Sequence, residues 1–453
     1  MDLQDYLTGK QAEHLDELLA FLRIPSVSTD PDKKAEVRRA GEFVQGKLAD
    51  LGFDAKLHET EGHPVVFAER HVSSGVPTLL IYGHYDVQPP EPLDLWTSPP
   101  FEPVVKDGLI VARGASDDKG QVYAHVKGAE VALHTRPDLP LNLKFLIEGE
   151  EEIGSPNLGP FIEAHLNMLA ADTVLISDNT MLVPDTPTVT YGLKGLVYIE
   201  VTLRTADMDL HSGAFGGGVL NPINVLAKMI ASLHDNEGRV AVPGFYDDVL
   251  DISEDERAAF KKAPFGETHF KREIGASAAP GEAGYSLLER LWARPTLDVN
   301  GIKGGFQGKG AKTVIPAEAS AKISCRLVAN QNPADIHDKL LTYLKQLAPE
   351  GAELSFQSFG QAKAALAPLA SAAVQTTAAA LKRVYNKDVV FARTGGTIPV
   401  VSTFQERLGA EVVLVGFGLE NDRVHSPNEK FDLVNYYRGI EVSAALLDAF
   451  AER

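Results

Sequence analysis

The order of apolar and polar positions along the chain changes character twice, and it predicts two kinds of structure. Asp16 to Leu22 has the spacing of an amphipathic helix that stops before Pro25. Residues 35–51 repeat that spacing, with Val37, Ala40, Val44, Leu48 and Leu51 on one face. Short apolar runs bounded by Gly and Pro follow at Val65 to Glu69 and Pro77 to Tyr82. A helix is expected over Gln121 to His134, then strands over Leu141 to Ile147 and Thr173 to Ser177. Strands alternating with helices predict an α/β sheet with helices on both faces.

After about Tyr191 the period becomes two. Val197 to Leu203 and Ala319 to Val328 alternate, Asn221 to Leu233 and Pro333 to Leu347 read as helices, and Glu353 to Phe359 reads as a strand. This run predicts a smaller α+β domain with an open sheet. Residues from about 235 to 312 are rich in glycine and charge and give no clear element. A helix at Pro368 to Val384, a strand at Val412 to Val415 and a closing helix at Tyr436 to Phe450 resume the first pattern. The expected division is an α/β domain of residues 1–191 and 363–453, with a domain of residues 192–362 inserted into it.

Bulk properties then exclude several functions. A chain of 453 residues is too long for one ordinary core, in keeping with two domains. A net charge of −19 argues against nucleic acid, whose binders present basic surfaces, and against a polybasic membrane patch. No apolar run is long enough to span a bilayer. The opening residues Met1-Asp2-Leu3-Gln4-Asp5 are acidic and lack the basic-then-apolar order of a secretory signal. Cys325, the single cysteine, can form no internal disulfide and falls on an alternating strand, where a small packed side chain is expected. The reading is a cytoplasmic protein.

The candidate chemistry is acidic. Glu150, Glu151 and Glu152 stand just past an apolar strand, Leu141 to Ile147. Like charges at a strand end repel, and desolvation worsens the repulsion, so such a cluster calls for a cation. Other predicted strand ends carry similar groups: Gly83-His84-Tyr85-Asp86, the loop Arg113 to Gly120 with Asp117 and Asp118, and Asp178. Far downstream, His425 follows a strand as well. An open α/β sheet gathers ligands outside the carboxyl ends of its strands. Each motif alone is weak, since a lone His there is usually a packing residue and an Asp before a helix usually a cap. Together, two imidazoles and several carboxylates suit zinc, manganese or cobalt. A pair of such ions sharing one carboxylate would account for the number of acids.

These segments resemble the co-catalytic metallopeptidases related to carnosinase, carboxypeptidase G and the aminoacylases. The resemblance rests on Gly83 to Pro89, Arg113 to Gly120, Glu148 to Ser155, Ser177-Asp178-Asn179 and Val424-His425-Ser426, in that order over nearly the whole chain. It is closest to the carnosinase-like cytosolic dipeptidases through Asp209-Leu210-His211-Ser212-Gly213, Gly310 to Pro316, Gly395 to Pro399 and Ser426 to Glu429. It implies a zinc-peptidase-like catalytic domain with a central mixed sheet, and an inserted lid and dimerisation domain. It implies two divalent ions per subunit, zinc first, with manganese or cobalt as alternatives. His84 and Asp178 would hold one ion, Glu152 and His425 the other, and Asp117 both.

By the same resemblance Glu151 is the general base, with Glu150 its rival in register, and Asp86 orients the His84 ring. His211 would act in trans in a homodimer as an oxyanion donor. Arg326 would receive the substrate carboxylate, and Thr313, Thr397 and Gly396 would contact substrate. The implied reaction is hydrolysis of a dipeptide by a water activated between the metals. The competing reading is a deacylase or aminoacylase acting on N-acyl amino acids. One departure stands out. Phe359 falls where the carnosinase-like enzymes carry a histidine, which makes carnosine itself a doubtful substrate.

Overall fold

The computed structural model describes residues 3–453. The chain divides into two compact units. The first comprises the chain up to Tyr191, Ala367–Ala392 and Val400–Arg453. The second comprises Gly192–Leu366 and Arg393–Pro399.

The first unit is built on a mixed sheet. Its strands run in the spatial order Asp54–His58, Val65–Arg70, Asn142–Glu148, Thr78–His84, Thr173–Ile176 and Glu411–Leu414, with Thr188–Leu193 next to the last. The four strands Asn142–Glu148, Thr78–His84, Thr173–Ile176 and Glu411–Leu414 are mutually parallel. Their carboxyl ends therefore lie along one edge of the sheet. Leu79 to Tyr82, Leu143 to Ile147 and Val174 to Ile176 are continuously apolar apart from the buried Lys144. This is the composition expected of parallel strands covered on both faces. Each large apolar side chain buried there stabilises the sheet by about 1.5–3 kcal/mol. Helix Lys119–Thr135 packs against the closing helix Leu433–Ala451, which packs in turn on Ala372–Tyr385. Among the described residues no helix is long and apolar enough to cross a membrane.

The second unit holds a four-stranded antiparallel sheet in the order Thr296–Gly304, Glu318–Leu327, Gly195–Arg204, Glu353–Ala362. Val197, Ile199, Val201 and Leu203 form one apolar face with Ala319, Ala321, Ile323, Cys325 and Leu327. Leu226 and Met229 of helix Pro222–Ala231 and Ile336, Leu340 and Leu344 of helix Pro333–Leu347 cover that face. Tyr198, Glu200, Lys322 and Arg326 alternate onto the opposite, open face.

The stretch 235–312 contains helices Glu254–Lys262, Glu267–Ile274 and Leu287–Trp292 and the strand Thr296–Gly304. The strand escapes a period-two reading because it is an edge strand in which only Leu297 is buried. The first two helices bury only Phe260 between them, so they show little apolar stripe. The edge strand Asp54–His58 buries no residue at all and has no apolar pattern to read.

Candidate metal centre

Each parallel strand delivers its chemistry just past its carboxyl end. His84 is the last residue of its strand and is fully buried. The loop carrying Asp117 runs into helix Lys119–Thr135, and the Asp117–Asp118 peptide is cis. Gly120 lets this loop close on itself, because a Cβ there would lie 1.9 Å from the Ala115 carbonyl oxygen. The strand Asn142–Glu148 leads to Glu151 and Glu152, and Thr173–Ile176 leads to Asp178.

These residues form two groups that share Asp117. Ligand atoms of His84, Asp117 and Asp178 lie within 4.8 Å of one another, and so do those of Asp117, Glu152 and His425. Ligands on opposite sides of an ion bound at about 2.0–2.2 Å span a similar distance. Asp117 presents one oxygen to each side. Its Oδ1 is 3.1 Å from His84 Nε2, and its Oδ2 is 2.9 Å from His425 Nε2. Glu152 Oε2 lies 3.3 Å from the same nitrogen of His425.

Electrostatics calls for positive charge here. Burial, reinforced by Asp117, pushes the Asp178 carboxyl up to about 7. Burial, with Asp178, Glu152 and Asp117 nearby, pushes Glu151 well above the carboxylate range. Burial alone would hold His84 down, yet Asp117 and Asp86 raise it well above its ordinary value. Hydrogen bonds to Asp117 and Glu152 raise His425 to about 10. Among the described residues, Asp117 and Glu152 are ion-paired only with histidines. A mixed imidazole and carboxylate set in this state fits divalent cations, which take the place of the protons.

The neighbouring side chains separate the three glutamates. Glu150 is buried and fully engaged: it accepts from the His63 N–H at 2.9 Å and from Asn157 Nδ2 at 2.9 and 3.1 Å. Glu152 is held by Gln88, whose N–H and Nε2 donate to its two oxygens at 3.1 and 2.8 Å. Glu151 is fixed through its backbone N–H, which donates to Asp86 Oδ1, while its carboxylate carries no hydrogen bond among the described residues. Asp86 also accepts from the Glu152 N–H, and its Oδ1 is 3.3 Å from His84 Nδ1. One buried aspartate thus ties the His84 ring to the turn that carries Glu151 and Glu152.

The remaining candidates lie in the second unit. Arg326 Nη1 donates to Thr397 Oγ1 at 2.9 Å, and that hydroxyl donates to the Lys194 carbonyl at 2.7 Å. His211 is exposed, and its Nδ1 accepts from the N–H groups of Gly213 and Ala214. The neutral ring therefore carries its proton on Nε2, as an available donor. Thr313 is adjacent, since its carbonyl accepts from the Ser212 N–H. A Cβ at Gly396 would meet nothing closer than 3.7 Å, so packing within the chain does not demand glycine there. Phe359 is exposed and lies against the Tyr198 ring on the open sheet face. Sequence reasoning left two organising residues without a role, Gln88 and Glu429, although both stand inside motifs that it singled out.

The profile of peptidase family M20/M25/M40 matches residues 80–449. A Cys-Gly metallodipeptidase of Schizosaccharomyces pombe is 32% identical over 456 residues, covering 97% of this chain and 96% of its own length. The human β-Ala-His dipeptidase is 33% identical over 395 residues, 86% of this chain and 78% of its own. An M20 family metallo-carboxypeptidase structure from Sulfolobus solfataricus is 35% identical with a TM-score of 0.87, covering 97% of this chain and all of its own. The matched region runs from the strand that ends in His84 to the closing helix, and it takes in both ligand groups: the chain belongs to peptidase family M20/M25/M40.

Proposed function

We propose that this chain is a dinuclear metal-dependent dipeptidase. The observation that carries the reading is the pair of ligand triads joined through Asp117, with the unbonded Glu151 carboxylate beside them. His84, Asp178 and Asp117 would hold one ion, and Asp117, Glu152 and His425 the other, with zinc favoured over manganese or cobalt. When bound, the two ions would lower the pKa of a water lying between them and polarise the scissile carbonyl. Glu151 takes the proton of the attacking water and returns it to the leaving amine. Asp86 keeps His84 and the Glu151 turn in register. His211 offers its Nε2–H to the developing oxyanion, acting in trans within a homodimer. Arg326, pre-aimed by Thr397, receives the substrate carboxylate as a planar fork, with Thr313 and Gly396 alongside. The second unit is then both lid and dimerisation domain, and the protein works in the cytoplasm.

Relatives named for Cys-Gly and β-Ala-His cleavage support dipeptides as the substrate class. Phe359 in place of a histidine weighs against β-Ala-His. The metallo-carboxypeptidase at 35% identity favours a second reading, removal of the last residue from longer peptides through the same Arg326 anchor. The test is metal content per chain together with hydrolysis after chelation and after return of zinc, manganese or cobalt. The substrates are a dipeptide panel, tripeptides and N-acetyl amino acids. About two ions per chain with restorable dipeptide cleavage is expected. Preferred cleavage of longer peptides or of N-acetyl amino acids would replace the dipeptidase reading. A protein that takes up no metal would end it.

A further inference from the structure

We propose that Glu429 is the positioning residue that assembles the Asp117–Glu152–His425 triad, and that it governs how tightly this half of the centre holds its ion. The inference rests on the metal reading of the site. Glu429 is fully buried and collects four donors. Its Oε1 accepts from the N–H groups of Ser116 at 2.9 Å and Asp117 at 3.1 Å. Its Oε2 accepts from the Gly114 N–H at 3.0 Å and from Arg113 Nη1 at 2.8 Å. One side chain thus shapes the whole turn that presents Asp117.

The other two members of the triad hang from the same carboxylate. Arg113, held by Glu429, donates through Nη2 to the Pro89 carbonyl at 3.2 Å. Pro89 follows Gln88, the residue that grips both oxygens of Glu152. His425 lies four residues before Glu429 in a loop that is costly to form, because Arg423, His425 and Asn428 all have left-handed backbones with φ of 59°, 60° and 61°. Such residues carry a strain cost and persist only where their surroundings compel them. The loop is compelled at its far end. Glu429 is fixed as above, and Asn428 accepts from the Thr97 N–H at 2.7 Å and donates to the Leu95 carbonyl at 2.8 Å. His84, by contrast, is the last residue of a buried strand, and Asp178 lies two residues past the end of another.

The experiment uses the full chain and cobalt titration by calorimetry and visible absorption. Glu429→Gln keeps the shape but turns an amide N–H₂ toward N–H groups. Because Asp117 serves both triads, both cobalt ions are expected to bind more weakly, the loop-borne one by about 10- to 100-fold and the strand-borne one by a clearly smaller factor, with an altered absorption band. Glu429→Asp should recover part of the affinity. In an Asp178→Asn background, which keeps only the loop-borne triad, Glu429→Gln should abolish the remaining tight binding. In a His425→Ala background it should lower the remaining affinity by a smaller factor, through the shared Asp117 alone. Arg113→Lys, a milder lesion of the same clamp, should weaken the loop-borne ion in the same direction if Glu429→Gln fails to fold. Two cobalt ions bound to Glu429→Gln as tightly as to wild type, or an equal loss at both triads, would overturn the proposal while leaving the dinuclear reading intact. Wild-type protein that takes up no cobalt would overturn both.

Discussion

The two halves of the candidate metal centre are built by different physics. His84 and Asp178 stand at the ends of parallel strands whose backbone is fixed by sheet hydrogen bonds and a continuous apolar core, and the His84 side chain is 0% exposed. His425 rises from a loop with three left-handed residues, and its side chain is 55% exposed. The first half gets its geometry from burial. The second gets it from a few charge-assisted hydrogen bonds that converge on Glu429 and Gln88. A sheet can lose one contact and keep its register, whereas a polar clamp that loses one member leaves buried groups unpaired. The strand-borne half should therefore be robust in geometry, and the loop-borne half should be where ion affinity is tuned.

The sharpest way to break this contrast is to remove what the halves share. Asp117→Ala is expected to lose both ions and to lower kcat/KM by about 10⁴-fold or more, because water activation and charge stabilisation go together. Metal analysis and initial rates on a dipeptide check it, and a variant that keeps two ions would refute the bridging role. Glu151→Gln lies outside both triads. It should keep two ions and its melting temperature while kcat falls by about 10³-fold. Retained activity would return the base assignment to its neighbour, although Glu150 is already committed to His63 and Asn157.

Much of this was legible in the chain because burial writes periodic patterns. The strands ending in His84 and leading to Glu151 and Asp178 are apolar runs with glycine or proline nearby, and the second unit's Val197 to Leu203 alternates cleanly. The motif order brought the ligands to one sheet edge. What stayed illegible lacks such a pattern. The edge strand Thr296–Gly304 buries only Leu297, and Asp54–His58 buries nothing. The roles of Gln88 and Glu429 are likewise absent from any periodicity, since each depends on a backbone N–H or side chain far along the chain: Glu429 meets Asp117 across more than 300 positions. The sequence ambiguity between Glu150 and Glu151 is a local one, and of the partners that Glu150 finds in His63 and Asn157, the first lies far from it in sequence.

The same contrast predicts unequal stability. Ile81→Ala empties a fully buried position under the strand-borne half and should cost about 2–5 kcal/mol, read as a lower urea midpoint with little change in ion affinity. Asn428→Ala, at a half-buried position of the loop-borne half, removes hydrogen bonds to Thr97 and Leu95 and should cost about 1–2 kcal/mol while weakening an ion. Reversal of that order, in midpoint or in affinity, would mean that the loop and not the sheet carries the fold around the site.

The smallest effect expected concerns pH, and it lies on the strand side. His125 is fully buried between Ser177 and Ser443. Ser177 Oγ donates to the Val415 carbonyl, so it accepts from His125 Nε2–H, and Nδ1 accepts from Ser443. This chain fixes the residue that precedes Asp178, and it needs the neutral ring. Burial pushes the His125 pKa down to about 3, against an ordinary value of 6.5. Above pH 6.5 the ring is neutral in folded and unfolded chains alike, and its contribution is fully present. As pH falls from there toward 3 the unfolded state binds the extra proton, so stability is lost with acid. The loss attributable to His125 between pH 7 and pH 5 is about 2 kcal/mol. His125→Gln should be less stable than wild type at pH 7, yet its urea midpoint should fall less steeply on acidification. Metal-free protein is the material for the comparison, so that ion release does not mask the slope. Parallel pH slopes for the two proteins would show that the buried ring already finds its proton in the folded state. The strand-borne half would then depend on a titratable clamp, as the loop-borne half does on Glu429.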